Sequence, residues 1–195
     1  MENKYRHDLH EILCLQAVGE AFEAYRVDDY DRMIIEWAER ELLSDNSSES
    51  LLILASLNLD KYPDSDEIKR YLHAYMLEKE IVMPSISAGV ITWLRIKAWF
   101  LMNADTSKEV ELRLSQIPTF HLSPCSRIFS NICWQFYSIY DELYDDWGPE
   151  YPSKASAMSE ADILDFVKCR VKPFYRVLCS SDWAWVLARA VKVIS

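Results

Sequence analysis

The chain has 195 residues, of which 50% are apolar and 13% are aromatic, and this composition excludes an intrinsically disordered protein. Only three residues are glycine, too few for sandwiches and barrels, which need left-handed backbone at many turns, or for glycine-rich phosphate loops. The formal net charge of −10 favours cationic partners and disfavours nucleic acid and anionic membranes.

Amphipathic helices are predicted along almost the whole chain, because apolar residues recur at the spacing i, i+3, i+4 and i+7. Helix starts are marked by side chains that can cap a first turn, such as Asp28 or Asp29 and Ser47 or Ser48. In chain order, the predicted helices cover about residues 5–25, 29–42, 51–59, 64–79, 86–102, 107–116, 126–146, 159–178 and 180–194. The pattern is that of an all-α protein with eight or nine helices, and the alternative near the C-terminus is a strand over 191–194.

Helices that follow one another after short turns form antiparallel hairpins, so we expect a bundle or a short α-solenoid. Two prolines mark a connector over 117–124, and the clearest loop of the chain covers 147–158. We therefore expect one helical domain over 1–195, with the alternative that 159–195 form a smaller C-terminal lobe after that loop.

Reduced cysteines and a cytoplasmic location are expected. The five cysteines are odd in number and form no C-x-x-C pair, whereas disulfide frameworks and zinc ribbons need paired spacings. The N-terminus lacks the apolar region of a secretory signal, and the most apolar stretch, 90–102, is too short to span a bilayer. We therefore expect a cytoplasmic protein that binds no membrane.

No residue pattern predicts catalysis, a metal or a cofactor. His7, His10 and Glu11 lie about one turn apart on a predicted helix, but the zinc motif H-E-x-x-H is absent, and a solvated polar face is the better interpretation. His121 lies near Cys125, yet nothing orients the two as a catalytic dyad. No histidine follows a glutamate at the three-residue spacing of di-iron bundles. We therefore expect a non-enzymatic protein.

Carboxylates and aromatic rings alternate at the end of the predicted helix 126–146. This acidic-aromatic segment consists of Tyr140, Asp141, Glu142, Tyr144, Asp145, Asp146 and Trp147. Like charges at i,i+4 cost a helix roughly 0.2–0.5 kcal/mol per pair, so the segment is either a surface for a cationic partner or a solvated helix end. The aromatic rings fit the first interpretation, because they bring buried area to an interface while carboxylates steer a cationic partner.

A second group of acids, Asp28, Asp29 and Asp31, lies beside Tyr25 and Tyr30 at the start of the second predicted helix. These acids repeat the acid-plus-aromatic chemistry of the first segment and are therefore also candidate partner-binding residues. The sequence does not indicate whether the two groups adjoin each other.

Bases are concentrated near the C-terminus. The last thirty residues hold one acid and six bases, which form the basic C-terminal segment: Lys168, Arg170, Lys172, Arg176, Arg189 and Lys192. This segment is the one feature that favours an anionic partner such as nucleic acid. The preferred interpretation, however, is that it packs beside acidic segments of its own fold.

Apolar positions between residues 30 and 90 carry a resemblance to known proteins. The motif is Trp37-Ala38-x-x-x-Leu42-Leu43, a polar loop with Ser47 and Ser48, and Leu51-x-x-Leu54-Ala55-x-Leu57, followed by Ile68-x-x-x-Leu72 and Pro84. It resembles a family of small, acidic, all-helical bacterial proteins of about this length, most of them uncharacterised, and implies a helical fold. Some proteins of this kind resemble immunity proteins, which bind and neutralise a cognate bacterial toxin in the cytoplasm.

The leading functional hypothesis is a protein-binding protein, and most specifically an immunity protein. Its acidic-aromatic segment would occlude the active site of a basic, nuclease-like toxin by occupying the cationic site that normally holds phosphate. The alternative is a helical regulatory or nucleic-acid-binding protein that uses the basic C-terminal segment. That alternative requires the bases to line one exposed face and binding to fall steeply with salt.

Overall fold

A computed structural model describes residues 5–44, 48–60, 62–117, 126–145 and 152–189. Within these ranges the chain folds into nine α-helices and three short 3-10 helices, with no β-strand, so the predicted all-α fold of eight or nine helices is confirmed. The α-helices are α1 (Leu9–Ala21), α2 (Tyr30–Leu42), α3 (Glu49–Ser56), α4 (Ser65–Glu78), α5 (Ile86–Met102), α6 (Ser107–Ser115), α7 (Arg127–Tyr144), α8 (Glu160–Cys179) and α9 (Ser181–Ala188). The alternative of a strand over 191–194 lies outside the described residues.

Side-chain caps fix several of the helix starts. At the N-terminus of α1, Asp8 and Glu11 form a capping box, in which the Asp8 carboxylate accepts from the Glu11 N–H at 2.7 Å. Serine hydroxyls cap α3 and α8 from Ser48 and Ser159. Asp29 occupies the N-cap position of α2, but its side chain makes no capping hydrogen bond, so the predicted cap is not formed there.

The chain divides into two compact units, residues 1–89 and 90–195. In the first unit, α1 packs against α2, α2 against α3, and α3 against α4. Apolar side chains from all four helices form the core of this unit, where the Trp37 and Tyr75 rings pack edge to face with centroids 5.4 Å apart. The expected single domain, with its alternative C-terminal lobe, stays a prediction.

In the second unit, α7 and α8 pack against each other, and both contact α6 and α9. The core contains Phe136 of α7, which is fully buried and lies 5.8 Å from the ring of Phe174 of α8. Phe136 lies on the apolar face of α7, and the polar residues of this helix lie on its other face, as expected of an amphipathic helix. None of the described helices is both long enough and apolar enough to cross a bilayer.

Candidate functional site

The described part of the acidic-aromatic segment forms the last turn of α7 and its C-cap. The Tyr140 and Tyr144 rings lie one turn apart with centroids separated by 5.5 Å. The Tyr144 hydroxyl donates to the Ser107 carbonyl oxygen at 3.1 Å, which fixes the half-buried ring against α6. Burial, followed by the nearby charge of Glu111, raises the pKa of Tyr144 to about 12. This phenol therefore stays a neutral donor at physiological pH.

Two carboxylates of the segment have no cationic partner in the described part of the chain. Asp141 is half-buried and lies one turn from Tyr137, and its negative charge is the main reason that the pKa of Tyr137 is raised. Asp145 is exposed at the C-cap of α7. A negative charge at a helix C-terminus is unfavourable with the helix dipole, so Asp145 does not stabilise α7.

Glu142 is compensated by two cations of its own chain. Its carboxylate contacts the Lys154 ammonium at 2.6 Å and the Arg170 guanidinium at 3.3 Å. Both cations also lie over the Phe166 ring, at 4.3 and 5.6 Å from its centroid. Arg170 belongs to the basic C-terminal segment, so one base of that segment does pack beside an acid of its own fold. A partner that binds Glu142 has to compete with these contacts.

Two predicted members of the segment, Asp146 and Trp147, lie outside the described residues, as do His121 and Cys125.

The other bases on α8 lie on one exposed face. Lys168, Lys172 and Arg176 follow one another at i, i+4 and i+8, and all three are exposed. Within the described ranges, none of the three forms an ion pair with an acid. Arg189 is exposed after α9, and Lys192 lies outside the described residues. Three of the six bases therefore share the exposed face that the nucleic-acid hypothesis requires of the segment.

The fold brings two of the three acids at the start of α2 to the same cavity. Asp28 and Asp31 line a cavity of about 720 Å³ in the first unit, whereas Asp29 is exposed at the N-cap and does not line it. The cavity lies between α1, the connection to α2, and α4. Its remaining lining residues are Leu15, Gln16, Gly19, Glu20, Glu23, Arg26, Val27, Tyr30, Ser65 and Lys69.

Neutral donors hold two of the cavity's carboxylates. The Gln16 amide donates to Glu20 at 2.8 Å and accepts from the Tyr30 hydroxyl at 2.6 Å. On the α4 side, the Ser65 hydroxyl donates to Asp31 at 2.5 Å. Burial, then the charges of Glu20 and Asp31, raise the pKa of Tyr30, so its phenol keeps its proton.

The α1 side of this cavity was missed by reasoning from sequence alone. Gln16 and Glu20 lie at i,i+4 on a helix whose neighbouring positions are buried, and Gly19 lies between them. The available signal was a polar pair that flanks the only glycine of α1. Its partners on α4 were not recognisable, because they are far away in the sequence.

Residues near the N-terminus that resembled a zinc ligand set have a structural role. Glu11 is buried, forms the capping box of α1 and accepts from the Tyr5 hydroxyl. His7 is also largely buried, and this burial lowers its pKa. The interpretation as a solvated polar face is therefore wrong for His7 and Glu11, whereas His10 is exposed as that interpretation expects. Among the described residues, no three His, Cys, Asp or Glu side chains are arranged to hold a metal ion.

Comparison with protein-family models, with curated proteins and with solved structures finds no match to the chain. The fold and the two acidic groups define a class, namely an all-α protein with an acidic helix end on one unit and an acidic cavity on the other. The resemblance to immunity proteins stays a prediction.

Proposed function

We propose that this protein binds and neutralises a cationic protein, and most specifically that it is an immunity protein for a basic, nuclease-like toxin. The observation that carries this proposal is the way in which its carboxylates are held. Asp31 accepts from a hydroxyl and Glu20 from an amide, and Asp141 lies beside the Tyr137 phenol; within the described ranges, none of the three pairs with lysine or arginine. A carboxylate with a neutral donor is fixed in position but keeps its full negative charge, so it remains attractive to an incoming cation.

At the α7 helix end, Asp141 and Asp145 lie one turn apart, beside the paired rings of Tyr140 and Tyr144. In the proposed mechanism, the two carboxylates occupy the cationic site where the toxin normally holds phosphate. The tyrosine rings add contact area at a low cost in side-chain entropy. Occlusion of this kind needs no catalytic step, in agreement with a non-enzymatic role.

The test is binding to the toxin domain encoded immediately upstream of the gene, with a charge-matched control. Asp141→Asn with Asp145→Asn removes two charges at the helix end and keeps the side-chain shape. Asp105→Asn with Asp165→Asn removes two exposed charges elsewhere in the same unit. Association and dissociation rates are measured by biolayer interferometry at low and at physiological salt, and protection is measured as growth during toxin expression.

The helix-end variant is expected to lower the association rate by about tenfold or more and to flatten its salt dependence, because steering by charge acts mainly on association. The control variant is expected to change the rate much less. Equal effects of the two variants would refute the helix end as the binding surface. Failure of the wild-type protein to bind the toxin or to protect cells would refute the immunity role itself.

A second candidate function rests on the exposed basic row Lys168, Lys172 and Arg176. Trp183 and Trp185 are exposed on the neighbouring helix α9, and aromatic rings next to cations are typical of surfaces that bind single-stranded nucleic acid. Fluorescence anisotropy with a labelled single-stranded oligonucleotide over a salt series tests this function. Replacing the three bases by Gln is expected to reduce the slope of log K against log salt by about 0.7 per lost phosphate contact. No binding at low salt would exclude this function.

A further inference from the structure

The cavity of the first unit has the size and the mixed lining of a binding site for an extended ligand. Its volume of about 720 Å³ lies within the range of roughly 300–1,000 Å³ that is typical of pockets that hold organic ligands. Leu15, Val27 and Gly19 provide apolar surface, while Tyr30 presents an aromatic ring. Such a lining fits a lysine or arginine side chain, whose stem is aliphatic and whose end is charged.

The charges of the lining are unbalanced. Four carboxylates line the cavity against two cations: Glu20, Glu23, Asp28, Asp31, Arg26 and Lys69. In the described part of the chain, no ion pair joins either cation to any of these acids. Arg26 and Lys69 are both exposed, and the lining keeps an excess of two negative charges.

Two of these carboxylates are prepared for a ligand by contacts with their own fold. Gln16 fixes Glu20 from α1, and Ser65 fixes Asp31 from α4, each through one oxygen of the carboxylate. The Tyr30 ring lies near both carboxylates and is itself fixed by its bond to Gln16. A cation that enters beside Tyr30 is therefore attracted from two sides by groups that need little reorganisation.

We infer that this cavity binds a basic segment of the cationic partner and holds an arginine or lysine side chain between Glu20 and Asp31, along the Tyr30 ring. The inference rests on the proposed function, because it assumes a cationic protein as the partner, and it assigns the cavity as a second contact site. Gln16 and Ser65 are positioning residues in this arrangement. Glu20 and Asp31 contact the cation directly.

Oligo-arginine peptide is the probe, and a peptide of the same length made of citrulline is its uncharged analogue. Binding is measured by calorimetry, and the contact site is located by amide chemical-shift changes. Glu20→Gln with Asp31→Asn removes the two central charges. Asp60→Asn with Asp66→Asn is the matched control, since both residues are exposed in the same unit and neither lines the cavity.

The oligo-arginine peptide is expected to shift the signals of the cavity residues, and the citrulline peptide is not. The cavity variant is expected to weaken binding by about tenfold or more, because two direct charge contacts are lost, and the control by less than about threefold. Equal weakening by the two variants would overturn the inference in favour of general charge attraction. Equal binding of the citrulline peptide, or shifts confined to the α7 helix end, would overturn it too.

A further variant tests whether the peptide needs the open volume of the cavity as well as its charges. It also provides a test if the cavity variant folds poorly. Val27→Trp fills the cavity without a change in charge, and circular dichroism verifies that the helices are retained. This variant is expected to prevent peptide binding, and unchanged binding would overturn the inference.

With the toxin as partner, loss of affinity in the helix-end variant but not in the cavity variant would refute the cavity site and leave the immunity role intact. Absence of any complex would refute both.

Discussion

Gly89 is the position where the packing of the first unit leaves no room for a side chain. A Cβ atom at this residue would lie 2.6 Å from the Cys14 carbonyl oxygen and 3.2 Å from the Val18 Cβ. The first turn of α5 therefore meets α1 by close approach of the two backbones. Because the nearest atom belongs to the backbone, rotation of a side chain cannot relieve the contact.

Two opposing effects determine the result of Gly89→Ala. Alanine is favoured over glycine inside a helix by about 0.5–1 kcal/mol. Overpacking in a well-packed region costs about 1–3 kcal/mol when the backbone has to move. The contact is far below an ordinary van der Waals distance, so the second effect is expected to dominate. The net expectation is a loss of about 1–2 kcal/mol in the free energy of unfolding.

Gly19→Ala is the matched control, because it is the same chemical change in another helix of the same unit. The nearest atom to a Cβ at Gly19 is the Arg26 Cα at 3.4 Å, an ordinary contact distance. Only the helix preference then remains, and we expect a gain of about 0.5–1 kcal/mol in the free energy of unfolding.

Urea unfolding followed by far-UV circular dichroism measures both variants against the wild type. The midpoint is expected to fall for Gly89→Ala and to rise for Gly19→Ala, with little change in the slope. If Gly89→Ala proved as stable as the wild type, that result would refute the inference that the backbones of α1 and α5 meet too closely at Gly89 to admit a side chain. A loss of stability in both variants would show that glycine is needed for a reason other than space.

Three further predictions concern the second unit. Phe136→Ala is expected to cost about 3–5 kcal/mol in urea unfolding, because the ring is fully buried. The folded state raises the pKa of Tyr144 from 10.0 to about 12, so its contribution to stability is complete below pH 10 and is lost as the pH rises towards 12. Tyr144→Phe should remove this pH dependence in thermal unfolding and cost about 1 kcal/mol at neutral pH, because the bond to Ser107 is lost. Arg170→Gln should cost at most about 1 kcal/mol, since its pair with Glu142 is partly exposed, and should strengthen toxin binding measured by calorimetry.

Local chemistry explains why several helix starts were predictable, although α1 begins at Leu9 and not near Tyr5 as predicted. Ser159 caps α8 through the backbone three residues ahead, and all the information for such a cap lies within one turn. The first predicted helix extended to Tyr25, but α1 ends at Ala21 and residues 23–25 form a 3-10 turn. No glycine or proline marks this end. Tyr25 is buried, which indicates that packing, and not a local signal, decides the conformation there.

Contacts between distant residues explain which parts of the candidate sites were missed. The bond from Ser65 to Asp31 joins residues 34 positions apart, and the pair of Arg170 with Glu142 joins residues 28 apart. Periodicity indicates which face of a helix is polar, but it contains no information about the polar group that meets that face. For this reason the acids were predictable as a charged surface, and packing of the basic segment beside acids was expected in general, whereas the particular pair of Arg170 with Glu142 and the cavity around Asp31 were not predictable.

Compensation of charge, more than the number of acids, distinguishes the two acidic groups. At the α7 helix end, Glu142 is held by two cations, so a partner gains contact with this acid only by displacing them. In the cavity, Glu20 and Asp31 are held by neutral donors, and a cationic side chain can bind them without breaking an ion pair. The helix end is therefore suited to steer a cationic partner during association, and the cavity to slow its dissociation.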